Sequence, residues 1–197
     1  MNTLKAEKRT MDTKAKRLRR EGYVTGNVFG REMEGSMPVK MEKSAVEKLL
    51  KTSNKGSQIM LDVDGQSYDV LIKEIQFNPL KGQVDEIDFQ ALVSNEKVHS
   101  VAEIVLVSHD KLAAGVLQQH LEEISFRALP SALVDKVMVD VGDMKVGDVI
   151  KVKDLDIAKD KDVDLKTDLE AAVVSVAAVH VDPALEAEEE AAEEEAK

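Results

Sequence analysis

The sequence has no cysteine, no tryptophan and few aromatic residues, which make up 3% of the chain. Without cysteine there is no disulfide framework, no thiol nucleophile and no cysteine-ligated zinc site, which excludes several functional classes. No apolar run approaches the roughly 18 residues needed to cross a bilayer. The start, Met1-Asn2-Thr3-Leu4-Lys5, lacks the apolar stretch of a secretory signal. We therefore expect a cytoplasmic protein that does not enter a membrane.

The chain also lacks the patterns that accompany catalysis, metal binding or nucleotide binding. It contains no Gly-x-Ser-x-Gly elbow, no Gly-x-x-x-x-Gly-Lys-Ser/Thr loop and no Gly-x-Gly-x-x-Gly run. The histidines are too widely spaced in sequence for an i, i+4 metal pair; they are His99, His109, His120 and His180. Acidic pairs are common in a chain with 38 acidic residues and do not indicate acid–base catalysis. We expect no enzymatic activity, no metal and no cofactor.

Charge is unevenly distributed along the chain. The net charge is −11, yet the first 31 residues carry nine basic and three acidic side chains. In a helical arrangement, Leu18 lies opposite a basic arc of about 160°. This arc consists of Lys16, Arg17, Arg19 and Arg20. A basic block in an acidic chain predicts a local polyanion site, whereas a solvated basic segment is the alternative interpretation. Tyr23 and Phe29 follow this block and favour RNA, since their rings can stack on bases.

The C-terminal end is strongly acidic. Residues 182–197 hold eight acidic residues and one lysine. Their like charges repel and no apolar stripe is present to be buried, so we expect a disordered or marginally helical tail. Three roles remain open for it: a solubilising tail, a shield for the basic block, or a recruiter of a basic partner.

We predict a mainly β protein with short helices, divided into domains at 1–94 and 95–182 and an acidic tail at 183–197. In the first domain, short strands within 23–43 precede a helix at Ser44–Lys51 that opens with a Ser-x-x-Glu capping box. A hairpin around Asp64-Gly65 and a strand at 84–93 follow. Several short strands around one helix predict a small β-barrel or sandwich.

The second domain follows the polar interval Ser94–Lys97 and is predicted to be β-rich. One short helix is expected at Ala113–Leu121. The predicted strands are Val101–Val107, Glu122–Leu129, Lys136–Val141, Val149–Val152 and Ala171–Val181. Because residues 97–181 contain no concentrated basic segment, this half is expected to be a scaffold or a partner-binding module.

Four motifs follow one another in the first half of the chain, and the second half adds three more. The first four are Lys16-Arg17-Leu18-Arg19-Arg20-Glu21-Gly22, Val28-Phe29-Gly30, Lys73-Glu74-Ile75-Gln76-Phe77-Asn78-Pro79-Leu80-Lys81 and Ile87-Asp88-Phe89. The others are Leu129-Pro130, Val139-Asp140-Val141 and the segment Lys145–Leu155. Over about residues 4–182, the sequence resembles the bacterial large-subunit ribosomal protein family that binds 5S ribosomal RNA. The match is to the longer, two-domain general stress protein CTC form.

The resemblance implies an N-terminal β-barrel that docks on an internal-loop helix of 5S ribosomal RNA. It also implies a β-rich C-terminal domain that faces neighbouring ribosomal proteins, and no catalytic role. The implied contacts to the RNA backbone and groove are Arg9, Lys14, Lys16, Arg17, Arg19 and Arg20. Phe29 and Gly30 would line the contact, and polar readout would come from Gln76, Asn78 and Asp88.

Three departures from the family pattern qualify the resemblance. The run Val24–Gly30 lacks the family's usual proline, and Ala114-Gly115 stands where a Gly-Gly pair is usual, which concerns only a local turn. Phe29 stands where the family usually has tyrosine, so the ring can stack but has no hydroxyl group. Glu86 stands where a histidine is expected, which places a carboxylate at a position implied to face phosphates. The departures at Phe29 and Glu86 leave open a free, stress-related RNA-binding or chaperone-like protein. The acidic tail leaves open a protein-only adaptor whose basic helix docks an acidic partner.

Overall fold

The computed structural model describes residues 2–10, 12–33, 35–109, 115–160 and 162–178. The α-helices are α1 (Ala15–Arg20) and α2 (Lys43–Leu50), and 3₁₀ turns lie at Pro130–Ala132, Val152–Asp154 and Asp156–Lys159. The strands of the first half are β1 (Thr3–Lys8), β2 (Tyr23–Phe29), β3 (Met37–Glu42), β4 (Gln58–Val63), β5 (Gln66–Asn78) and β6 (Gln83–Ala91). Those of the second half are β7 (Val98–Val107), β8 (Val116–Gln119), β9 (Glu123–Ala128), β10 (Lys136–Asp140), β11 (Val149–Lys151), β12 (Val163–Leu165) and β13 (Ala172–Ala177).

The first six strands close into a barrel in the order β1-β3-β2-β6-β5-β4. Parallel pairing of β1 with β4 closes the barrel, and β2 also runs parallel to β6. Alternate residues of each strand point inward, as in β4, where Ile59, Leu61 and Val63 are buried. Helix α2 adds Val46 and Leu49 to the same core. The prediction of a small N-terminal β-barrel is therefore confirmed.

The hairpin between β4 and β5 has the turn that its sequence predicts. Asp64 and Gly65 both adopt positive φ, 53° and 88°. A two-residue turn of this kind matches the right-handed twist of the strands that it joins, and glycine tolerates the conformation without strain. The turn fixes the register in which Met60 lies opposite Asp69.

The second half is also β-rich, as predicted. A four-stranded sheet has the order β10-β7-β9-β12, and a three-stranded sheet has the order β11-β13-β8. The two sheets share one hydrophobic core, which includes Ile124 and Phe126 from β9 and Val173 and Val174 from β13. Barrel strand β6 ends at Ala91 and β7 begins at Val98. The boundary between the predicted domains, 1–94 and 95–182, falls within this connection.

Four local predictions need correction or a limit. Ala113–Leu121 was expected to be a helix, but Val116–Gln119 is strand β8, because it pairs with β13. The Ser44 capping box is wrong, since α2 begins one residue earlier, with Glu42 as its N-cap and no capping hydrogen bond from that side chain. The last predicted strand is shortened to β13. Residues 179–181, and the acidic tail at 183–197, lie outside the described residues.

The two halves contact each other through β5 and the loop that precedes β4. The Lys73 Nζ donates to the His99 carbonyl at 2.9 Å, and Lys55 pairs with Glu123 at 2.9 Å. Asn54 donates to the Glu103 carboxylate, and the Ser100 hydroxyl donates to the Gly56 carbonyl at 3.4 Å. Partial burial and the nearby Lys55 charge lower the pKa of Lys73 below its ordinary value. Neither helix of the barrel takes part in these contacts.

None of the helices in the described part of the chain has the length and apolar character needed to cross a membrane.

Candidate functional site

Helix α1 carries the basic block and anchors it to the barrel. Leu18 is 6% exposed and packs beneath the helix, as its position opposite the basic arc predicts. Lys14, Lys16, Arg17 and Arg20 are exposed. Arg17 Nε donates to Glu21 at 2.8 Å, and this hydrogen bond and charge raise the pKa of Arg17 above its ordinary value. The described part of the chain offers no ion-pair partner to Lys14, Lys16 or Arg20.

Arg19 differs from the other cations of α1 because it points to the barrel wall, with 27% of its side chain exposed. Its Nε donates to the Asp85 carbonyl at 3.0 Å. Its Nη2 lies 3.3 Å from both the Thr25 hydroxyl and the Glu86 carboxylate. A guanidinium group held at three acceptors fixes the position of the helix on β2 and β6. The basic arc is therefore split between an anchoring residue and exposed cations.

A β-bulge in β6 supplies the carbonyl that Arg19 uses. Gln76 pairs with Glu86 and Phe77 pairs with Val84, which leaves Asp85 as the extra residue between them. A bulged residue is left out of the regular ladder, so its carbonyl can accept hydrogen bonds from elsewhere. The Asp85 carbonyl accepts from Arg19 and also from the Thr25 hydroxyl, at 3.4 Å. The bulge thus connects α1 to the sheet.

The outward-facing side chains of β2, β6 and β5 form a polar face beside α1, in which Thr25 is fully buried next to Arg19. One row across the strands consists of Thr25, Glu86 and Gln76, and the next consists of Asn27, Asp88 and Glu74. The Asp88 carboxylate accepts from the Asn27 amide nitrogen at 3.1 Å and from the Asn27 side chain at 3.2 Å. Gln76 is exposed, whereas Glu86 and Asp88 are half-buried. Predicted residues that are far apart in sequence are therefore neighbours on one face.

The junction of β5 and β6 is held by side-chain amides. Asn78 donates to the Asp85 carboxylate at 3.0 Å, and Gln83 donates to its other oxygen at 3.3 Å. The Asn78 hydrogen bond is the main cause that lowers the pKa of Asp85, with smaller effects from Gln83, Arg19 and Lys81. Asn78 is thus engaged within the protein, and its side-chain oxygen also accepts from the Lys81 amide at 3.3 Å.

The remaining predicted residues lie at the edges of this face. Phe29 is 36% exposed at the end of β2. Gly30 is half-buried, and a Cβ atom there would lie 2.8 Å from the Ala91 Cβ, so glycine is required for close packing. Arg9 is half-buried, and its amide donates to the Pro38 carbonyl at 2.9 Å. Pro38 pairs with Asn27, which connects Arg9 to the same side of the barrel.

Sequence reasoning missed two exposed apolar residues at the β5–β6 turn. Phe77 is 59% exposed and Leu80 is 97% exposed. Both occur in the motif at residues 73–81, but apolar residues at the end of a strand usually indicate core packing. The sequence contains no other signal of their exposure. Tyr23, which was expected beside guanidinium groups, instead lies under the Lys40 Nζ, 4.8 Å from the ring centroid.

A large cavity lies elsewhere, between β1, β3, α2 and the β4–β5 turn. Its volume is about 820 Å³, and its lining includes Lys5, Glu7, Tyr23, Lys40 and Asp62. Both acidic and basic side chains line it, so it has no single sign of charge. In the described part of the chain no cluster of His, Asp or Glu side chains has the geometry of a metal site. The face formed by α1, β2, β5 and β6 remains the strongest candidate site.

Comparison with known proteins divides the chain at the same connection between β6 and β7. Residues 4–89 match the model of the ribosomal L25p family, and residues 97–180 match that of the ribosomal protein TL5 C-terminal domain. A similar protein in Geobacillus thermodenitrificans, named large ribosomal subunit protein bL25, is 34% identical over 142 residues, which cover 71% of this chain and 67% of that protein.

Two further relatives have the same name. The protein of Caldanaerobacter subterraneus subsp. tengcongensis is 30% identical over 156 residues, which cover 78% of each chain. That of Listeria monocytogenes is 32% identical over 157 residues, which cover 78% of this chain and 75% of the relative. The similarity therefore extends across both halves of the chain.

Proposed function

The chain belongs to the ribosomal L25p family, and from this premise we propose that it is a structural component of the large ribosomal subunit that binds 5S ribosomal RNA. The family is structural and non-enzymatic, which confirms the prediction that the chain is not an enzyme. A place in bacterial ribosomes would locate the protein in the cytoplasm. The proposal assigns RNA binding to the barrel and contacts with neighbouring ribosomal proteins to the second half.

The observation that carries the proposal is the contact of Arg19 with Asp85, Thr25 and Glu86. These hydrogen bonds hold a helix of exposed cations against a strand face of amide and carboxylate groups. Cations position a protein on phosphates, while amides and carboxylates can read the edges of bases. Such an arrangement fits a structured RNA better than a purely acidic protein surface, which offers no base edges.

Within this site, the residues have different proposed roles. Lys14, Lys16, Arg17 and Arg20 contact phosphates, and Arg9 supports them from the β3 side. Arg19 is a positioning residue, since its donors are directed to the barrel. Gln76 and Asp88 supply polar readout, and Asn78, which the sequence resemblance also placed in this role, instead positions Asp85. Phe29 offers a ring for stacking, and Gly30 permits the close packing behind it. Glu86 orients Arg19 and partly neutralises its charge.

The second half has a surface suited to proteins rather than to RNA. Its lysines are largely matched by acidic side chains, as in the contacts of Lys151 and Lys153 with Glu170 at 2.7 and 3.0 Å. Several large apolar residues are exposed there, including Val116, Met138 and Val149. Exposed apolar residues within a polar surface are typical of protein contacts. We assign neighbouring ribosomal proteins to this half as its partners.

Sedimentation of a tagged full-length copy in a bacterial lysate tests the proposal. We expect the protein to migrate with large ribosomal subunits, and to be recovered with 5S ribosomal RNA after the subunits are dissociated. A variant with Lys14, Lys16 and Arg20 replaced by alanine should shift to the free fraction. Purely free wild-type protein would contradict the proposal and would favour a stress-related protein that acts outside the ribosome.

A further inference from the structure

Strand β10 lies at one end of the four-stranded sheet of the second half and has an open edge. Its neighbour is β7, and none of the other strands in the described part of the chain lies along its far side. Four strands end the two sheets of this half. With five residues β10 is the longest of them, since β8 has four residues and β11 and β12 have three each. An exposed sheet edge is a template for pairing with another strand.

The backbone of β10 directs alternate residues to that open edge. The Val141 amide donates to the Val107 carbonyl at 3.1 Å, and the Asp135 carbonyl accepts from the Glu103 amide at 3.0 Å. Odd-numbered residues of this segment therefore bond to β7, because the direction of backbone hydrogen bonding alternates along a strand. The residues whose N–H and C=O groups point away from β7 are Lys136, Met138 and Asp140.

The side chains of the same three residues lie on the exposed face of the sheet. Met138 is 72% exposed, whereas the valines on either side of it are buried in the core. Lys136 is exposed and its Nζ lies 3.9 Å from the Glu103 carboxylate, which is the limit of an ion pair. Asp140 is exposed at the other end of the strand. The edge of β10 thus has a basic end, an apolar centre and an acidic end.

This order of side chains is complementary to itself. When two copies of β10 pair antiparallel about Met138, Lys136 of one protomer lies opposite Asp140 of its partner, and the two Met138 side chains face each other. Opposite charges and apolar groups directly across an antiparallel pair are favourable. The backbone groups match as well, because the residues that point to the open edge take the hydrogen-bonded positions in this register.

We infer that the free protein forms a symmetric dimer in which β10 of a second copy extends the four-stranded sheet. A two-fold axis at Met138 uses the same edge on both protomers, so the contact closes on itself. Two five-residue strands bury a small area, and the dimer should be weak and reversible. Val116 and Val149 lie on the other sheet and stay available to other partners. Helix α1 takes no part in the contact, so the inference does not depend on RNA binding.

The absence of cysteine from the chain allows a direct test. In full-length Met138→Cys, the two introduced thiols face each other across the axis, with Cα atoms about 5.5 Å apart, a distance that suits a disulfide. Mild oxidation at high protein concentration should give a covalent dimer that a reductant separates. The matched control is Val116→Cys, at a 50% exposed position of edge strand β8, which should stay monomeric.

Charge reversal tests the register. Lys136→Glu and Asp140→Lys should each lose self-association, because each places two like-charged pairs across the axis. An equimolar mixture of the two variants should associate, since both pairs are then of opposite sign. Sedimentation equilibrium at about 0.15 M salt, which screens chain-wide repulsion beyond about 8 Å, measures the average mass. That mass should rise toward twice the monomer mass for the wild type and for the mixture, and for neither variant alone.

A wild-type chain that stays monomeric at every concentration, with Met138→Cys cross-linking no more than Val116→Cys, would overturn the inference. Association that survives Lys136→Glu would place the dimer contact on another surface and would also contradict it. The Asp140 carboxylate accepts from the Gly142 amide at 3.0 Å, so circular dichroism must show that Asp140→Lys is folded. If that variant is unfolded, Lys136→Glu added to Met138→Cys decides, because it should abolish the cross-link. Each of these failures leaves the proposed RNA-binding function untouched.

Discussion

The barrel half and the second half of the chain use charged residues in different ways. Residues 1–94 contain 16 basic and 14 acidic side chains, whereas residues 95–182 contain 10 basic and 17 acidic ones. In the second half, lysines pair with nearby acids, as Lys159 does with Asp156 and Lys166 with Asp164. On α1, by contrast, several cations have no such partner within the described residues. The net charge is thus +2 for residues 1–94 and −7 for residues 95–182, so only the barrel half favours a polyanion on charge grounds.

The hydrogen bonds of the two halves show the same contrast. Arg19, on the barrel, is partly shielded and is held by three acceptors on two strands. Lys151, in the second half, is held by the single carboxylate of Glu170, of which 61% is exposed. The shielded contact fixes a helix, whereas the exposed contact lies on the surface and constrains little. The comparison indicates that the polar contacts of the barrel orient a binding face.

The largest effect is expected from removal of Lys14, the N-cap residue of α1, together with Lys16 and Arg20, for which the described residues offer no ion-pair partner. Replacing Lys14, Lys16 and Arg20 with alanine should weaken binding to 5S ribosomal RNA on the order of 100-fold and reduce the salt slope by about 3. The matched control replaces Lys145, Lys153 and Lys159 of the second half and should change neither quantity. Filter binding at several salt concentrations measures both. Equal losses in the two triple variants would remove the distinction between the halves.

Loss of the Arg19 anchor should have a smaller effect, visible in stability. Arg19→Ala should lower the free energy of unfolding by about 1–2 kcal/mol, because three partly shielded acceptors lose a charged donor. Lys151→Ala, at an exposed pair of the second half, should change it by less than about 1 kcal/mol. Urea unfolding followed by circular dichroism measures both values. A larger loss for Lys151→Ala would show that the exposed pair is the structural contact.

The Glu86 carboxylate should affect RNA binding only slightly. Glu86→Gln keeps a hydrogen-bond acceptor for Arg19 and removes a negative charge near the proposed phosphate contacts. Binding should tighten by about 2- to 5-fold at low salt, and the gain should fade as salt screens the charge. Glu170→Gln in the second half serves as the control and should leave RNA affinity unchanged. Weaker binding by Glu86→Gln would mean that the carboxylate itself contacts a donor on the RNA.

The smallest expected difference concerns two carboxylates, one in each half. Hydrogen bonds and charges from Lys151 and Lys153 lower the pKa of Glu170 from its ordinary 4.5 to about 2, while the neutral Asn78 is the main cause that lowers the pKa of Asp85. High salt should therefore raise the pKa of Glu170 more than that of Asp85, since it screens charges better than neutral hydrogen bonds. Carboxyl NMR titrations at low and high salt check this. Equal shifts would contradict the assigned causes.

The same pKa directions set the pH window in which the Glu170 contact stabilises the fold. The folded-state pKa of Glu170 is below the ordinary 4.5, so its contribution is complete above pH 4.5 and is lost as the pH falls to about 2. Glu170→Gln should therefore reduce the dependence of stability on pH in this window. Unfolding curves of wild-type and variant protein should converge near pH 2.

Local sequence patterns predicted the barrel well where short-range chemistry determines the structure. Asp64-Gly65 specified its turn because both residues tolerate positive φ, and alternating apolar residues specified the flanking strands. The predicted helix at Ala113–Leu121 was wrong because pairing with β13, more than fifty residues later, decides the conformation of β8. Local preference is a weak guide when a distant strand supplies the hydrogen bonds.

The candidate site was only partly predictable for the same reason. The basic arc and the burial of Leu18 follow from helical spacing, but the contact of Arg19 with Asp85 joins residues 66 positions apart. It also depends on a bulge that no residue pattern announces. Exposure of Phe77 and Leu80 depends on where the barrel rim ends, which is a property of the closed sheet.

Amide hydrogen exchange of the intact chain, with and without 5S ribosomal RNA, tests the central claim most directly. The account predicts that the RNA protects α1, β2 and the segment from Gln76 to Gln90, and leaves residues 98–178 unchanged. Protection concentrated in residues 98–178, with α1 unaffected, would contradict it.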